Sequence, residues 1–288
     1  MSLGVAGRND VRPVGGGGVT SRLTPRLPVH SVETIAQFLR AHSLSGGGDG
    51  VVVGLSGGID SALVARLARD ALGAEHVLGL LLPDAAYPAA LLRETEEYAR
   101  GLGIEHRTIS IEPIEASYRS LLPELEDRVS LGNVKARIRM TLNYAVARAR
   151  RRLVVGTGNK SELLLGYFTK YGDGGVDLLP LGDLYKTDVR ALADELALPA
   201  AVRERPPTAG LWEGQTDEGE LGITYDELDQ ILNGLEQLRS AEEVAQIARI
   251  PIERVRAIEA RVLESRHKRR MPPIPKVRLR TIGLDWRE

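Results

Sequence analysis

Residues Gly54-Leu55-Ser56-Gly57-Gly58-Ile59-Asp60-Ser61 follow the apolar run Val51-Val52-Val53 and lead into the helical stretch Ala62 to Leu72. A buried strand, a turn of small residues and a helix start, in that order, make an anion site. Gly54, Ser56, Gly57 and Gly58 let the backbone approach a ligand closely, with its NH groups at the positive end of the following helix. Ser56 and Ser61 add hydroxyl donors. Asp60 would repel a bare phosphate, yet it belongs there if Mg2+ sits between the two. The pattern asks for a metal nucleotide.

Other readings compete for these residues. A Walker A loop ends in Gly-Lys-Ser/Thr, and no Lys lies between Gly54 and Arg66, which excludes it. Gly54 to Gly58 also fits the Gly-x-Ser-x-Gly elbow of serine hydrolases, with Ser56 as nucleophile. That fold places several strands before its elbow, whereas a glycine-rich stretch and one helix precede this one. His267, the histidine late enough to complete the order Ser, Asp/Glu, His, stands in a basic cluster. A glycine-rich turn with no ligand is the third reading.

The 288 residues allow one large domain or two small ones. With 43% hydrophobic and 27% charged residues, the composition is that of a soluble protein, and runs such as Val77 to Leu82 are too short to cross a bilayer. No basic-then-apolar pattern opens the chain, so a cytoplasmic location is expected. The absence of cysteine excludes disulfides, thiolate metal sites and a cysteine nucleophile. A net charge of -1 gives no pull toward nucleic acid or membranes, and neither is expected as a partner.

The pattern predicts a mobile tail over 1–28, one domain over 29–275 and a second tail over 276–288. A helix is expected from Ser31, its candidate N-cap, to Leu44. Strands at Val51 to Leu55, Val77 to Leu82, His106 to Ile111 and Leu153 to Gly156 alternate with helices at Ser61 to Leu72, Pro88 to Leu102, Ile114 to Leu125 and Leu131 to Arg150. The fold class is therefore α/β, a doubly wound, mainly parallel sheet flanked by helices. Ser56, Asp84 and Thr157 each lie just past a strand end, where such sheets bind ligands. Thr157 belongs to a second glycine turn that leads to a short helix, with Glu162 as a carboxylate at the same rim. A helix is expected over Lys186 to Leu196. The irregular stretch Pro199 to Leu221 reads as a loop closing over a ligand, and three short helices follow from Tyr225 to Ser265.

Several segments together resemble one family. Gly54 to Ser61 looks like the pyrophosphate loop of the N-type ATP pyrophosphatases, whose fold is adenine nucleotide α-hydrolase-like. Lys135 to Met140, Gly156 to Glu162, Lys170 to Gly174, Gly182 to Thr187 and Gly210 to Glu218 resemble NAD synthetase in particular, over about Ser31 to Pro275. The resemblance implies adenylation of the nicotinate carboxylate of deamido-NAD by ATP, then displacement of AMP by ammonia. It implies Mg2+ on Asp60 and Glu162, and ATP contacts along Gly54, Leu55, Ser56, Gly57, Gly58, Ile59, Asp60 and Ser61 and at Thr157, Lys186 and Thr208. It further implies a deamido-NAD site of Arg137, Lys170, Asp177, His267 and Lys268, with catalytic roles for Asp60, Lys186 and Asp173. Asp173 resembles a carboxylate near the nicotinate end or the entering ammonium. A homodimer is implied too, with Leu131 to Arg150 as interface helix. Glutamine-dependent members carry an amidase domain with a catalytic Cys, so this chain is expected to use free ammonia. Taken singly, Arg137 and Arg139 could be a solvated helix face, Asp60 a helix-start carboxylate and Asp217-Glu218 plain surface. A tRNA-modifying adenylating enzyme of the same superfamily is the alternative, and a hydrolase acting through Ser56 the remote one.

Overall fold

A computed structural model describes residues 23–282 apart from 44–47, 123, 209, 211 and 213. Four parallel strands, β1 (Val51–Gly54), β2 (Val77–Leu81), β3 (Glu105–Thr108) and β4 (Leu153–Val155), lie in the order β3-β2-β1-β4. β1 is central, with Val51 level with Val77 on one side and Leu153 on the other. Its unbroken valine run follows from burial on both faces. Val51 and Val53 enter one core, and Val52 enters the other with Leu78, Leu80 and Val154. β3, at the edge, is polar and largely exposed, which discourages pairing with another chain. It ends earlier than the sequence suggests, but the NH groups of Ile109 and Ile111 still bond Leu81 O and Pro83 O.

The helices are α1 (Ser31–Ser43), α2 (Ile59–Leu72), α3 (Ala89–Gly101), α4 (Glu112–Leu121), α5 (Arg128–Ala149), α6 (Lys160–Leu165), α7 (Lys186–Glu195), α8 (Ala200–Arg203), α9 (Asp217–Leu221), α10 (Tyr225–Glu236), α11 (Ala241–Ala248) and α12 (Ile252–Glu264). α1, α2, α3 and α7 cover one face of the sheet through Leu39, Leu63, Ala99 and Leu192. α5 covers the other through Ile138 and Ala147. α10, α11 and α12 close a separate apolar cluster with Leu165 and Tyr185. Among the described residues no helix is long and apolar enough to cross a membrane.

Several expectations are corrected. α2 begins at Ile59, two residues early, because extended Gly58 is its N-cap, and this brings Asp60 into the first turn. α5 begins at Arg128, capped by Asp127, which accepts from the NH of Ser130 at 2.8 Å. Ser31 is the first residue of α1 rather than its cap, and its hydroxyl donates to Pro28 O at 2.6 Å. The expected tail over 1–28 is not loose at its inner end. Leu23 is buried in the α10–α12 cluster, and its carbonyl accepts from Asn233 Nδ2 at 2.9 Å. Residues 1–22 and 283–288 lie outside the described residues, while Thr281, in the expected second tail, is buried.

Candidate active site

The chain leaves β1 toward β2 and β3, then returns to place β4 on the other side of β1. The carboxyl ends of β1 and β4 therefore form the point where strand order reverses, and a cavity of about 990 Å3 opens there. Ser56 and Thr157 line it side by side, as their strand ends predict. Asp84, one strand away, does not. It is buried and paired with Lys135 Nζ at 2.7 Å, which ties α5 to the end of β2.

The nucleotide loop is held open by its own hydroxyls. Ser61 Oγ donates to Gly58 O at 3.0 Å and accepts from the NH of Ser56 at 3.2 Å, while Ser56 Oγ accepts from the NH of Gly58 at 3.3 Å. Ser61 is buried and shapes the loop from behind, whereas Gly54 to Asp60 line the cavity. Gly57 has φ 75°, and a Cβ there would lie 2.6 Å from Leu91 Cδ1. The strained backbone that a hydrolase elbow needs at its serine falls on this glycine instead. His267 is exposed and outside the cavity, so no hydrolase triad forms around Ser56.

Three charged side chains meet beside the loop. Lys186 Nζ, almost fully buried, donates to Asp60 Oδ2 and lies 3.5 Å from Glu162 Oε1. Asn159, also buried, donates from Nδ2 to Asp60 Oδ1 at 2.9 Å. Its Oδ1 accepts from the NH of Glu162 at 3.1 Å, and its own NH bonds Glu162 Oε2 at 3.2 Å. The capping box of α6 thus fixes Glu162 and hands Asp60 a donor. Glu162 lies deep in the fold, although 17% of its side chain opens on the cavity. Burial pushes its carboxyl up to about 8; Lys186 opposes this and Asp60 adds to it. Burial also works against the Lys186 ammonium, but Asp60 and Glu162 outweigh it and hold the group above its ordinary range.

A second layer comes from the loop before α9. Arg205 donates to Gly57 O and, at 2.5 Å, to Glu94 Oε2, bracing the irregular stretch against the nucleotide loop. Pro206, Pro207, Thr208, Trp212 and Gln215 line the cavity wall, and Arg128 lies 5.0 Å over the Trp212 ring. Asp217 is buried rather than surface. It accepts from Tyr167 Oη and Tyr225 Oη, each at 3.2 Å, and burial raises its pKa against the pull of Lys186.

Of the expected substrate residues, Asp173 and Lys268 line the cavity. Lys268 Nζ donates to Gly166 O and Phe168 O, at 2.7 and 2.9 Å. Asp173 accepts from the NH of Thr169 at 2.8 Å; its depth raises its pKa, although the carboxylate itself is open to the cavity. Arg137, Lys170, Asp177 and His267 stand outside. Arg137 donates to Lys170 O at 3.3 Å, and Asp177 accepts from Tyr144 Oη at 3.0 Å. Arg137 and Tyr144 share one side of α5, so Arg137, Lys170 and Asp177 form a strip along it. Sequence reasoning missed Asn159, Arg205 and the burial of Asp217. For the first, Asn-x-x-Glu at a helix start was the available signal.

A family profile described as NAD synthase matches residues 31–272. The chain belongs to the NAD synthase family. It is 47% identical over 246 residues to the NH(3)-dependent NAD(+) synthetase of Methanosarcina acetivorans, covering 84% of this chain and 96% of that one. The protein of the same name from Archaeoglobus fulgidus is 47% identical over 248 residues, covering 86% and 96%. Among solved structures, NMN synthetase from Francisella tularensis superposes with a TM-score of 0.75 at 36% identity, covering 85% of this chain and 97% of that one. NH3-dependent NAD synthetase from Campylobacter jejuni, in complex with nitrate, gives 0.71 at 33%, with the same coverage. The fold is thus that of the NAD synthase family, adenine nucleotide α-hydrolase-like, and the expected parallel sheet is borne out.

Proposed function

We propose that the chain makes NAD from deamido-NAD, ATP and ammonia, and that the Asp60, Lys186 and Glu162 cluster beside the glycine loop carries the chemistry. It is a ligase that forms a C–N bond. An oxygen of the nicotinate carboxylate attacks the α-phosphorus of ATP, and the bond to pyrophosphate breaks. Ammonia then attacks the acyl carbon, the bond to AMP breaks, and the nitrogen gives up a proton. No protein nucleophile is required. The chain's task is to align two anions and answer charge on the departing pyrophosphate.

The loop NH groups and the first turn of α2 receive the phosphates. Lys186, held charged by its carboxylates, faces the same space, with Thr157 and Thr208 on the flanking walls. Asp60 and Glu162 suit Mg2+, since an oxygen of each already converges on one cation, the Lys186 ammonium, and a divalent metal would favour the ionised form of Glu162 over the protonated form that burial favours. The metal would neutralise phosphate charge there. Asp173 is assigned to the entering ammonium, and Lys268 with Arg137, Lys170, Asp177 and His267 to deamido-NAD. The strip on α5 lies outside the cavity, which fits a substrate shared between two subunits. A homodimer is supported by the exposed apolar side chains of Tyr118, Leu121 and Leu122 on and just after α4.

Incubation of the full chain with ATP, Mg2+, ammonium and deamido-NAD should yield NAD, AMP and pyrophosphate. ADP and phosphate would refute the reading. Turnover of nicotinate mononucleotide in place of deamido-NAD would change the substrate and leave the chemistry intact, and tRNA-dependent pyrophosphate release would move the chain to the alternative.

A further inference from the structure

Asp229 lies on α10, in the helical part of the molecule, with none of its surface exposed, and it does not line the cavity. Its Oδ1 accepts from Ser161 Oγ at 2.5 Å, and its Oδ2 accepts from the NH of Thr187 at 2.9 Å. Ser161 Oγ in turn accepts from the NH of Lys186 at 2.9 Å. One carboxylate therefore joins the first turns of α6 and α7. Ser161 directly precedes Glu162, and Lys186 is the first residue of α7.

Helix capping alone does not account for it. Asp188 already closes the start of α7 by accepting from the NH of Tyr185 at 3.1 Å, and Asn159 caps α6. A buried carboxylate is otherwise costly. Burial pushes this one up to about 6, against the bonds from Ser161 and Thr187 and with the help of Asp188. The NH of Lys160 already bonds Leu184 O at 2.8 Å and Ser161 Oγ accepts from the NH of Lys186, so what the carboxylate adds is a third element, α10, that braces these two helix starts from behind.

We propose that Asp229 is a positioning residue. It clamps the starts of α6 and α7 together, so that Asp60 Oδ2 and Glu162 Oε1 both meet Lys186 Nζ beside the nucleotide loop. The inference rests on reading that cluster as the triphosphate site. Lys186 is useful only where pyrophosphate charge develops, and a displacement of about 1 Å at such a group costs on the order of 100-fold in rate. Loss of the clamp should therefore lower kcat and spare substrate affinity set elsewhere.

The test uses the full chain and three variants. Asp229→Asn should lower kcat for NAD formation roughly 10- to 100-fold, with the KM for ammonium within about threefold of the parent. Ser161→Ala, which removes both the donor to Asp229 and the acceptor of the Lys186 NH, should lower kcat comparably, and the double variant should be no slower than the slower single variant, because both act through one unit. Ile231→Val, buried on the same helix, should lower Tm and leave kcat unchanged. A readout that needs no turnover is acylation of Lys186 by an N-hydroxysuccinimide ester, followed by peptide mass spectrometry. Lys186 should become reactive in Asp229→Asn and stay protected in Ile231→Val. Unchanged kcat in Asp229→Asn, multiplicative losses in the double variant, or Lys186 as protected as in the parent would each overturn the proposal. If Asp229→Asn does not fold, an unchanged kcat in Ser161→Ala does so. A parent chain that makes no NAD refutes the functional reading instead, and the acylation result still decides the clamp.

Discussion

Glu162 holds its proton more tightly than an unfolded chain would, because its burial outweighs the attraction of Lys186. The folded state thus carries the extra proton between about pH 4.5 and about 8. The stability this contributes is complete below the lower value and is lost as pH rises through the upper one. In EDTA, Glu162→Gln should come close to the parent Tm at pH 5 and exceed it at pH 8.5, as read by calorimetry. Asp60→Asn works the other way. It should lower Tm, because buried Lys186 loses a charged partner, and lower Mg2+-dependent NAD formation by roughly 100-fold or more, since it also removes a hard ligand. Residual turnover near the parent rate would remove Asp60 from the site. Asp60 was legible because it stands inside the glycine loop at a helix start, although its partners Lys186 and Asn159 lie far along the chain. Asn159, Asp217 and Asp229 were not, because each gains its role from a residue tens of positions away.

At the scale of elements, the strand, glycine turn and helix around Gly54 to Ser61 could be read from sequence because periodicity and small residues act locally. The start of α2 was misplaced because Gly58 caps by backbone conformation alone, with no side-chain bond to announce it. Gly57→Ala should show how tightly the turn is made. The added Cβ would meet Leu91 and Thr95 in a left-handed backbone, so stability should fall by about 1–3 kcal/mol in urea titration and the KM for ATP should rise. The stretch from Pro206 to Gly222 is fastened by Arg205 at one end and by Asp217, through its tyrosines, at the other. Among the described residues between them no apolar side chain is buried. Limited proteolysis should cut there without ligand and slow at least severalfold with ATP, Mg2+ and deamido-NAD. Equal cutting rates in the two states would show that the loop does not respond to substrate.

For the molecule as a whole, the sequence indicated a parallel sheet but not its order. Strand order depends on which faces the helices cover, and only packing decides that. The outcome, β1 between β2 and β4, brings the two glycine turns together. The apolar residues left exposed on and just after α4 lead to a prediction at this scale. Sedimentation should give twice the chain mass, and Leu121→Glu with Leu122→Glu should yield monomers with NAD formation reduced at least tenfold, if the α5 strip serves the partner's cavity. Monomeric parent protein with full activity would confine the site to one chain.

Leu23 fills the hollow over Gly234, where a Cβ would already touch its Cδ1 at 3.0 Å, and eight residues later the chain starts α1 on the sheet. The segment between is a tie rod from the helical cluster to the sheet, anchored at Leu23 on α10 and at the start of α1. Trimming the chain to Pro28 removes the Leu23 side chain and carbonyl that hold Asn233 and Gly234 on the helix that carries Asp229, and the site that Asp229 braces should loosen with it.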